Sequence, residues 1–166
     1  MIFVDRKSVF ILQIIAVFLA MLNLSDIKVN YLADFLPLFD VMIIYYFAVL
    51  RPGIFAIWFL FVLGIISDSI SGVPLGITSF CYIIAVKLFV AINNRATIQQ
   101  NFYQIFGQFI AFTFVILLLK WLIISVYSLK FYNIINPLIH LTITSITYIF
   151  MHMFFHSLDK KLLESD

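Results

Sequence analysis

The sequence predicts an all-α integral membrane protein, a bundle of six transmembrane helices with both the N and the C terminus in the cytoplasm. The first observation is composition: 64% of the 166 residues are hydrophobic and 11% are charged, whereas soluble domains carry about 25% charged residues. The second is the division of the chain into six apolar segments. The third is the distribution of Lys and Arg between those segments. Together with a mean hydropathy of +1.15, they indicate that lipid is the solvent.

The apolar segments have the length of membrane-spanning helices, which take about 17–25 residues to cross the hydrocarbon core. They cover residues 8–24, 35–50, 54–70, 74–92, 102–128 and 137–155. Polar residues, prolines and glycines separate them. The length of the chain leaves room for a single transmembrane domain, residues 1–166.

The first segment follows Arg6 and Lys7, as the apolar part of a signal peptide would. It is longer than the usual apolar part of about 7–15 residues, and no small-residue cleavage site follows it. We therefore expect a retained first helix.

Basic residues favour one orientation of the six segments, because cytoplasmic loops carry an excess of Lys and Arg. With the N terminus inside, the inner side holds six of these residues and the outer loops hold two. The inner set is Arg6, Lys7, Arg51, Arg95, Lys160 and Lys161, and the outer set is Lys28 and Lys130. Both termini are therefore expected in the cytoplasm.

The third segment predicts a helical hairpin. Its purely apolar part, residues 54–66, reaches only about 20 Å at 1.5 Å per residue, against a core of about 30 Å. The helix must therefore continue through Asp68. Ser71 and Gly72 then make a tight turn, and Pro74 opens the next helix, where its missing N–H costs nothing.

Asp68 has two interpretations in this hairpin. It can face the positive N-terminal end of the following helix, which is a structural role, or it can act as a proton carrier or catalytic acid. The structural interpretation is preferred because a carboxylate at a helix end has a sufficient structural role. Gly72 and Gly76 form a small-xxx-small pair that would let a neighbouring helix approach closely.

Two stretches resemble the family of rod shape-determining MreD proteins. The stretch from Gly64 to Gly76, GIISDSISGVPLG, contains a sequence similar to the family signature D-x-x-S-G-x-P-L-G. Residues 37–51, PLFDVMIIYYFAVLR, look like the second span of the family. The residues of that span that carry the resemblance are Pro37, Asp40, Tyr45 and Arg51.

The resemblance implies a non-catalytic inner-membrane component of the bacterial elongation machinery, without a cofactor. Such a protein is expected to bind an MreC-like scaffold within the membrane. It would thereby link MreB-like filaments to the RodA glycosyltransferase and its transpeptidase partner in peptidoglycan synthesis. The family is also similar in fold to the substrate-binding subunits of energy-coupling transporters, so a transporter subunit is the alternative function.

Other functions receive less support from the residues. A net charge of +2 without a basic cluster does not favour nucleic acid as a partner. Asp40 and Asp68 lie toward one membrane face, as in an intramembrane aspartyl protease, but the Asn/Asp motifs of that enzyme are absent. Cys81 is alone, so neither a disulfide framework nor a cysteine metal site is expected.

The last segment carries polar residues at every fourth position. A metal site at His152 and His156 is conceivable, but no carboxylate or thiol is placed to complete it. A helix–helix contact with hydroxyl hydrogen bonds is preferred. The residues of this stripe are His140, Thr144, Tyr148, His152 and His156.

Asp40 and Lys120 predict a buried charge contact. Both lie in the outer half of the bundle under the predicted topology, and they have opposite charges. A charge near the middle of a span costs about 2.5–3.5 kcal/mol on insertion scales, so such groups find partners. We expect the two side chains to approach each other, with Asp68 as the alternative acid. The competing interpretation is that Lys120 extends outward to the lipid headgroups.

Overall fold

A computed structural model describes residues 6–22, 37–93, 102–130 and 133–163. Throughout these ranges the regular secondary structure is helical. The second helix is α-helical over Phe39–Ile44 and continues as a π-helix over Tyr45–Leu50. The helices are α1 (Arg6–Leu22), α2 (Phe39–Leu50), α3 (Ile57–Ser71), α4 (Ile77–Asn93), α5 (Phe102–Ser128) and α6 (Ile135–Leu163).

Helix α2 lies at the centre of the fold. Its residues are apolar on all sides except at Asp40, and every residue from Val41 to Val49 is buried. A helix that is hydrophobic all round is buried in protein or in lipid, and α2 is buried among its neighbouring helices. Helices α1, α4 and α6 contact α2, and the pairs α1–α3, α3–α4, α4–α5 and α5–α6 also pack together.

The exterior of the described helices is strongly apolar. Phe10 on α1, Trp58 on α3, Val126 on α5 and Phe150 on α6 are each between 62% and 72% exposed. Water-soluble monomers rarely expose contiguous apolar surface of this extent. Such an exterior is typical of a protein whose solvent is lipid.

Two helices, α5 and α6, are long and apolar enough to cross a membrane on their own. They contain 27 and 29 residues, about 40 Å and 43 Å at the helical rise. The apolar helices α1 to α4 are shorter. Helix α2 has six α-helical and six π-helical residues, so it covers at most about 18 Å at that rise.

Several helix boundaries differ from the sequence-based segments, and two of these differences bear on Asp40 and Asp68. Helix α2 begins at Phe39, after Pro37 and Leu38, so Asp40 lies in its first turn and not five residues into a helix. Helix α4 begins at Ile77 and not at Pro74. The N–H groups of Gly76 and Thr78 bind the Asp68 carboxylate, which fixes the first turn of α4 three residues later. The continuation of α3 through Asp68 agrees with the expectation, since α3 ends at Ser71.

Candidate functional site

The Asp68 carboxylate lies at the N-terminal end of α4. It accepts hydrogen bonds from the Gly76 N–H at 2.8 Å and from the Thr78 N–H at 3.1 Å, and Asp68 is fully buried. The first N–H groups of a helix have no partner within the helix, and the helix dipole favours a negative charge beside them. Asp68 therefore joins the end of α3 to the beginning of α4.

The turn between α3 and α4 depends on two glycines with positive φ. Gly72 follows the last residue of α3 with φ of 64°, and Gly76 has φ of 100°. The N–H of Val73 donates to the Asp68 carbonyl oxygen at 3.2 Å, which closes the end of α3 as in a Schellman-type cap. Ser71 is the last helical residue and Pro74 lies within the connection.

The packing of a neighbouring helix against Gly72 and Gly76 stays a prediction. Among the described residues, a Cβ atom added at either glycine meets nothing within 4 Å, and both glycines lie in the turn between α3 and α4. A close approach among these residues is at Gly64. A Cβ atom there would lie 2.5 Å from the Ser79 backbone nitrogen, and the Ser79 hydroxyl donates to the Phe61 carbonyl oxygen at 2.8 Å.

Asp40 lies in the first turn of α2 and is enclosed by three helices. Its carboxylate accepts hydrogen bonds from the Val41 N–H at 2.9 Å, from the Ser67 hydroxyl of α3 at 3.3 Å and from the Tyr82 hydroxyl of α4. The start of α2 is buried, so its N–H groups need partners within the protein. The Leu38 N–H accordingly donates to the Thr144 hydroxyl of α6 at 3.2 Å.

Lys120 is half-buried on α5. Lys120 and Asp68 both lie within electrostatic range of Cys81, whereas Asp40 and Asp68 are the carboxylates that act on Tyr82. The approach of Lys120 to Asp40, or to Asp68 as the alternative acid, stays a prediction.

The opposite end of the bundle contains an ion pair that the sequence analysis did not anticipate. The Arg51 guanidinium donates to Asp159 Oδ2 from Nη2 at 2.6 Å and from Nε at 3.1 Å. The Tyr46 hydroxyl donates to the same oxygen at 3.5 Å. Asp159 is 1% exposed, and its Oδ1 atom has no hydrogen-bond partner among the described residues. This pair links the end of α2 to the end of α6.

The buried face of α6 explains why Asp159 was missed. Residues spaced by four drift by about 40° around a helix at each step, so His156, at the end of the predicted polar stripe, is exposed. Phe155 and Asp159 are buried and continue the helix face formed by Thr144 and Tyr148. A helix face defined by residue spacings of both three and four, instead of four alone, would have included Asp159.

The predicted polar stripe forms a helix–helix contact over part of its length. Thr144 binds the start of α2, and the Tyr148 ring contacts Tyr45 of α2. The Tyr148 hydroxyl lies 3.2 Å from His152 Nδ1 of the same helix. His140 is half-buried. The described residues contain no group of three or more His, Cys, Asp or Glu side chains that could hold a metal ion. The contact of Thr144 with α2 is the kind expected for helix packing.

Tyr45 lies at the centre of an aromatic cluster between α2, α5 and α6. Its ring contacts Phe109 at 5.3 Å and Tyr148 at 5.8 Å between centroids, both edge-on. Its hydroxyl donates to the Ile105 carbonyl oxygen at 2.9 Å. Edge-on contacts place the positive ring edge against a negative ring face. Among the four residues of the family-like second span, Tyr45 is buried in this interior, Pro37 and Asp40 are buried at the start of α2, and Arg51 follows its end.

An apolar groove lies between α5 and α6 on the exterior. It has a volume of about 290 Å³. The side chains that line it are apolar or aromatic and include Phe114, Leu118, Trp121, Pro137, Leu138 and Leu141. Polar groups fix the orientation of a small molecule in a ligand pocket, and this groove does not provide them. It is suited to an apolar chain or helix.

The two carboxylates have little freedom for chemistry. A catalytic carboxyl group must reach the reacting group of a substrate, and both Asp40 and Asp68 are buried and bound by N–H or O–H donors of the bundle itself. This geometry favours a structural role over proteolysis.

The comparisons with known proteins agree with the sequence-based resemblance. A family model described as rod shape-determining protein MreD matches residues 4–161. A similar curated protein is the uncharacterized protein RP566 of Rickettsia prowazekii (strain Madrid E), 29% identical over 108 residues. The matched region covers 64% of this chain and 60% of that relative. No solved structure matches the chain.

Proposed function

Because the chain belongs to the MreD family of rod shape-determining membrane proteins, we propose that it is a non-catalytic, multi-pass component of the bacterial inner membrane. In this role it binds an MreC-like scaffold and thereby links MreB-like filaments to the RodA glycosyltransferase and its transpeptidase partner. The observation that carries the proposal is the family match over residues 4–161, nearly the whole chain.

The proposed topology has six spans with both termini in the cytoplasm. The Lys and Arg distribution supports it. The Arg51–Asp159 pair also supports it, since the ends of α2 and α6 lie at the same end of the bundle. In a chain that crosses the membrane at each of its six helices, even-numbered helices end on the same side.

The proposed docking surface is the apolar groove between α5 and α6. Transmembrane helices associate through close van der Waals packing, because lipid tails offer no hydrophobic driving force between them. The groove is concave and apolar and has a volume of about 290 Å³. It can therefore pack closely against the membrane helix of an MreC-like protein. Its apolar lining gives no specific support to the transporter-subunit alternative.

The test is affinity purification from native membranes in mild detergent, combined with a photo-reactive amino acid at Leu118 in the groove. We expect an MreC-like protein to co-purify and to cross-link from Leu118. The matched control is the same amino acid at Phe18 on α1, which is 61% exposed and should not cross-link to it. Co-purification of an energy-coupling module without an MreC-like protein would instead support the transporter subunit.

A further inference from the structure

The end of the bundle where α3 ends and α4 begins encloses a cluster of five oxygen-bearing side chains. Asp40 comes from α2, Ser67 and Asp68 from α3, and Thr78 and Tyr82 from α4. Each of the five is less than 10% exposed. Polar side chains inside a membrane protein are costly, so a concentration of them indicates a specific task.

The two carboxylates of this cluster have different partners. The backbone N–H groups of Gly76 and Thr78 bind Asp68, and the positive end of α4 offsets its charge. The Asp40 carboxylate accepts one backbone N–H, that of Val41, and otherwise faces the hydroxyl groups of Ser67 and Tyr82. Asp40 therefore brings one negative charge to a group of hydroxyl oxygens.

Thr78 supplies an independent observation. Its Oγ1 atom is buried and has no hydrogen-bond partner among the described residues, although buried hydroxyl groups are normally paired. Thr78 and Tyr82 are four residues apart on α4, so their side chains lie on the same helix face. The Tyr82 hydroxyl on that face reaches Asp40, and Thr78 lies on the same face one helical turn nearer to the beginning of α4.

We propose that this cluster binds one monovalent alkali cation, for which sodium is the probe. The ligands are the Asp40 carboxylate and the hydroxyl oxygens of Ser67, Thr78 and Tyr82. Carboxylate and other oxygen ligands suit hard cations, and one carboxylate charge is balanced by one monovalent ion. A hydroxyl group has one hydrogen and two lone pairs, so Ser67 and Tyr82 can donate to Asp40 and coordinate the ion at the same time. The bound ion joins α2, α3 and α4.

The experiment measures the unfolding temperature of the full chain in detergent by tryptophan fluorescence. Sodium chloride replaces choline chloride at constant ionic strength. A ligand that binds only the folded state raises stability with its concentration. We expect a saturable rise of several degrees with sodium that choline does not produce. Asp40→Asn should abolish the rise.

The matched variants keep the test decisive if Asp40→Asn does not fold. Thr78→Val removes the hydroxyl at constant shape and should raise the half-saturating sodium concentration at least tenfold, whereas Thr78→Ser should retain the wild-type value. Thr113→Val is the control, because the Thr113 hydroxyl is satisfied within α5 by the Phe109 carbonyl oxygen, and it should keep the sodium response.

Three outcomes would overturn the cation site. The first is an unfolding temperature that does not depend on sodium, as expected if a buried water fills the cluster. The second is an equal rise with choline and with every alkali ion. The third is a sodium-independent protein that Lys120→Met destabilises, since the lysine would then supply the positive charge.

Discussion

Gly64 lies where the backbones of α3 and α4 approach each other closely. We therefore expect the methyl group added by Gly64→Ala to destabilise the protein. The Cβ atom of an alanine at this position would lie 2.5 Å from the Ser79 backbone nitrogen, and backbone cannot move aside as a side-chain end can. Overpacking of this kind costs about 1–3 kcal/mol. We expect Gly64→Ala to lower the unfolding temperature in detergent by several degrees.

The control for this prediction is Gly107→Ala on α5. A Cβ atom at Gly107 meets nothing within 4 Å, and alanine is the better helix former by about 0.8–1.0 kcal/mol. The unfolding temperature should stay the same or rise slightly. Equal losses in the two variants would show that the α3–α4 contact is not responsible.

Gly72 and Asp68 give a second prediction at the residue scale. A side chain at φ of 64° costs about 1–2 kcal/mol in the left-handed conformation, and valine is less tolerant because it is β-branched. Asp68→Asn keeps an amide oxygen that can accept the Gly76 and Thr78 N–H groups. Gly72→Val should therefore impair rod shape more than Asp68→Asn, scored by microscopy of cells that depend on the protein.

The opposite result would assign a chemical role to Asp68. If Asp68→Asn lost rod shape at wild-type protein levels while Gly72→Val was normal, the carboxylate would be needed for its charge and not for the turn. Immunoblots of membrane fractions separate loss of function from loss of protein.

The local sequence pattern was sufficient to predict the hairpin turn, but it was not sufficient to predict which side chains contact each other across the helices. Gly72 and Asp68 are close in sequence to the groups that they serve, so the turn and the acid at the start of α4 could be anticipated. The contact of Gly64 with Ser79 could not, because small residues mark a close approach only when the facing helix is known.

At the scale of the helices, the ends of α2 decide its geometry. Its N-terminal end is buried, and the Leu38 N–H is satisfied by Thr144, which lies 106 positions later in the chain. No local pattern reveals a partner at that separation, so the sequence suggested a helix from residue 35, whereas the structure has a shorter one from Phe39. The π-helical turn at Tyr45–Leu50 likewise has no local sequence signature.

The Arg51–Asp159 pair predicts a coupling between α2 and α6. Removal of Arg51 leaves the carboxylate of a 1% exposed Asp159 without its cation, which is destabilising because a buried charge loses its partner. Hydrogen bonds to charged groups contribute about 1.5–3 kcal/mol, and the 37% exposure of the Arg51 side chain puts the expected loss at the lower end of that range. Arg51→Gln should therefore lower the unfolding temperature clearly.

A double-mutant cycle separates this coupling from general damage. Arg51→Gln with Asp159→Asn should be less destabilised than the sum of the two single variants. Lys87→Gln is the control, because Lys87 is an exposed cation on α4 and should be close to neutral. Additive effects of the pair would contradict the coupling.

At the scale of the whole molecule, the fold has polar groups at both ends and an aromatic interior. Asp40 and Asp68 lie at one end, Arg51 and Asp159 lie at the other, and Tyr45 lies between them among aromatic rings. Composition and hydropathy predicted the all-helical class and the apolar exterior, because both follow from lipid as solvent. They did not predict which helix lies at the centre of the bundle, because all the predicted segments are apolar enough to be buried there.

The orientation of the molecule in the membrane is the last prediction. Under the proposed topology, the turn at Ser71 lies outside and Asp166 lies in the cytoplasm, because three crossings separate the turn from the C terminus. A reporter that is active only outside should work when inserted near Ser71, and one that is active only inside should work when fused after Asp166. An insertion near Pro52, between α2 and α3, is the matched control and should report the cytoplasm. The Lys and Arg bias favours the same side for Pro52 and Asp166, and the Arg51–Asp159 pair supports it because it joins the ends of α2 and α6. Reporters at Ser71 and Asp166 on the same side would contradict the number of crossings after α3, and reversed signals at all three sites would contradict the orientation alone.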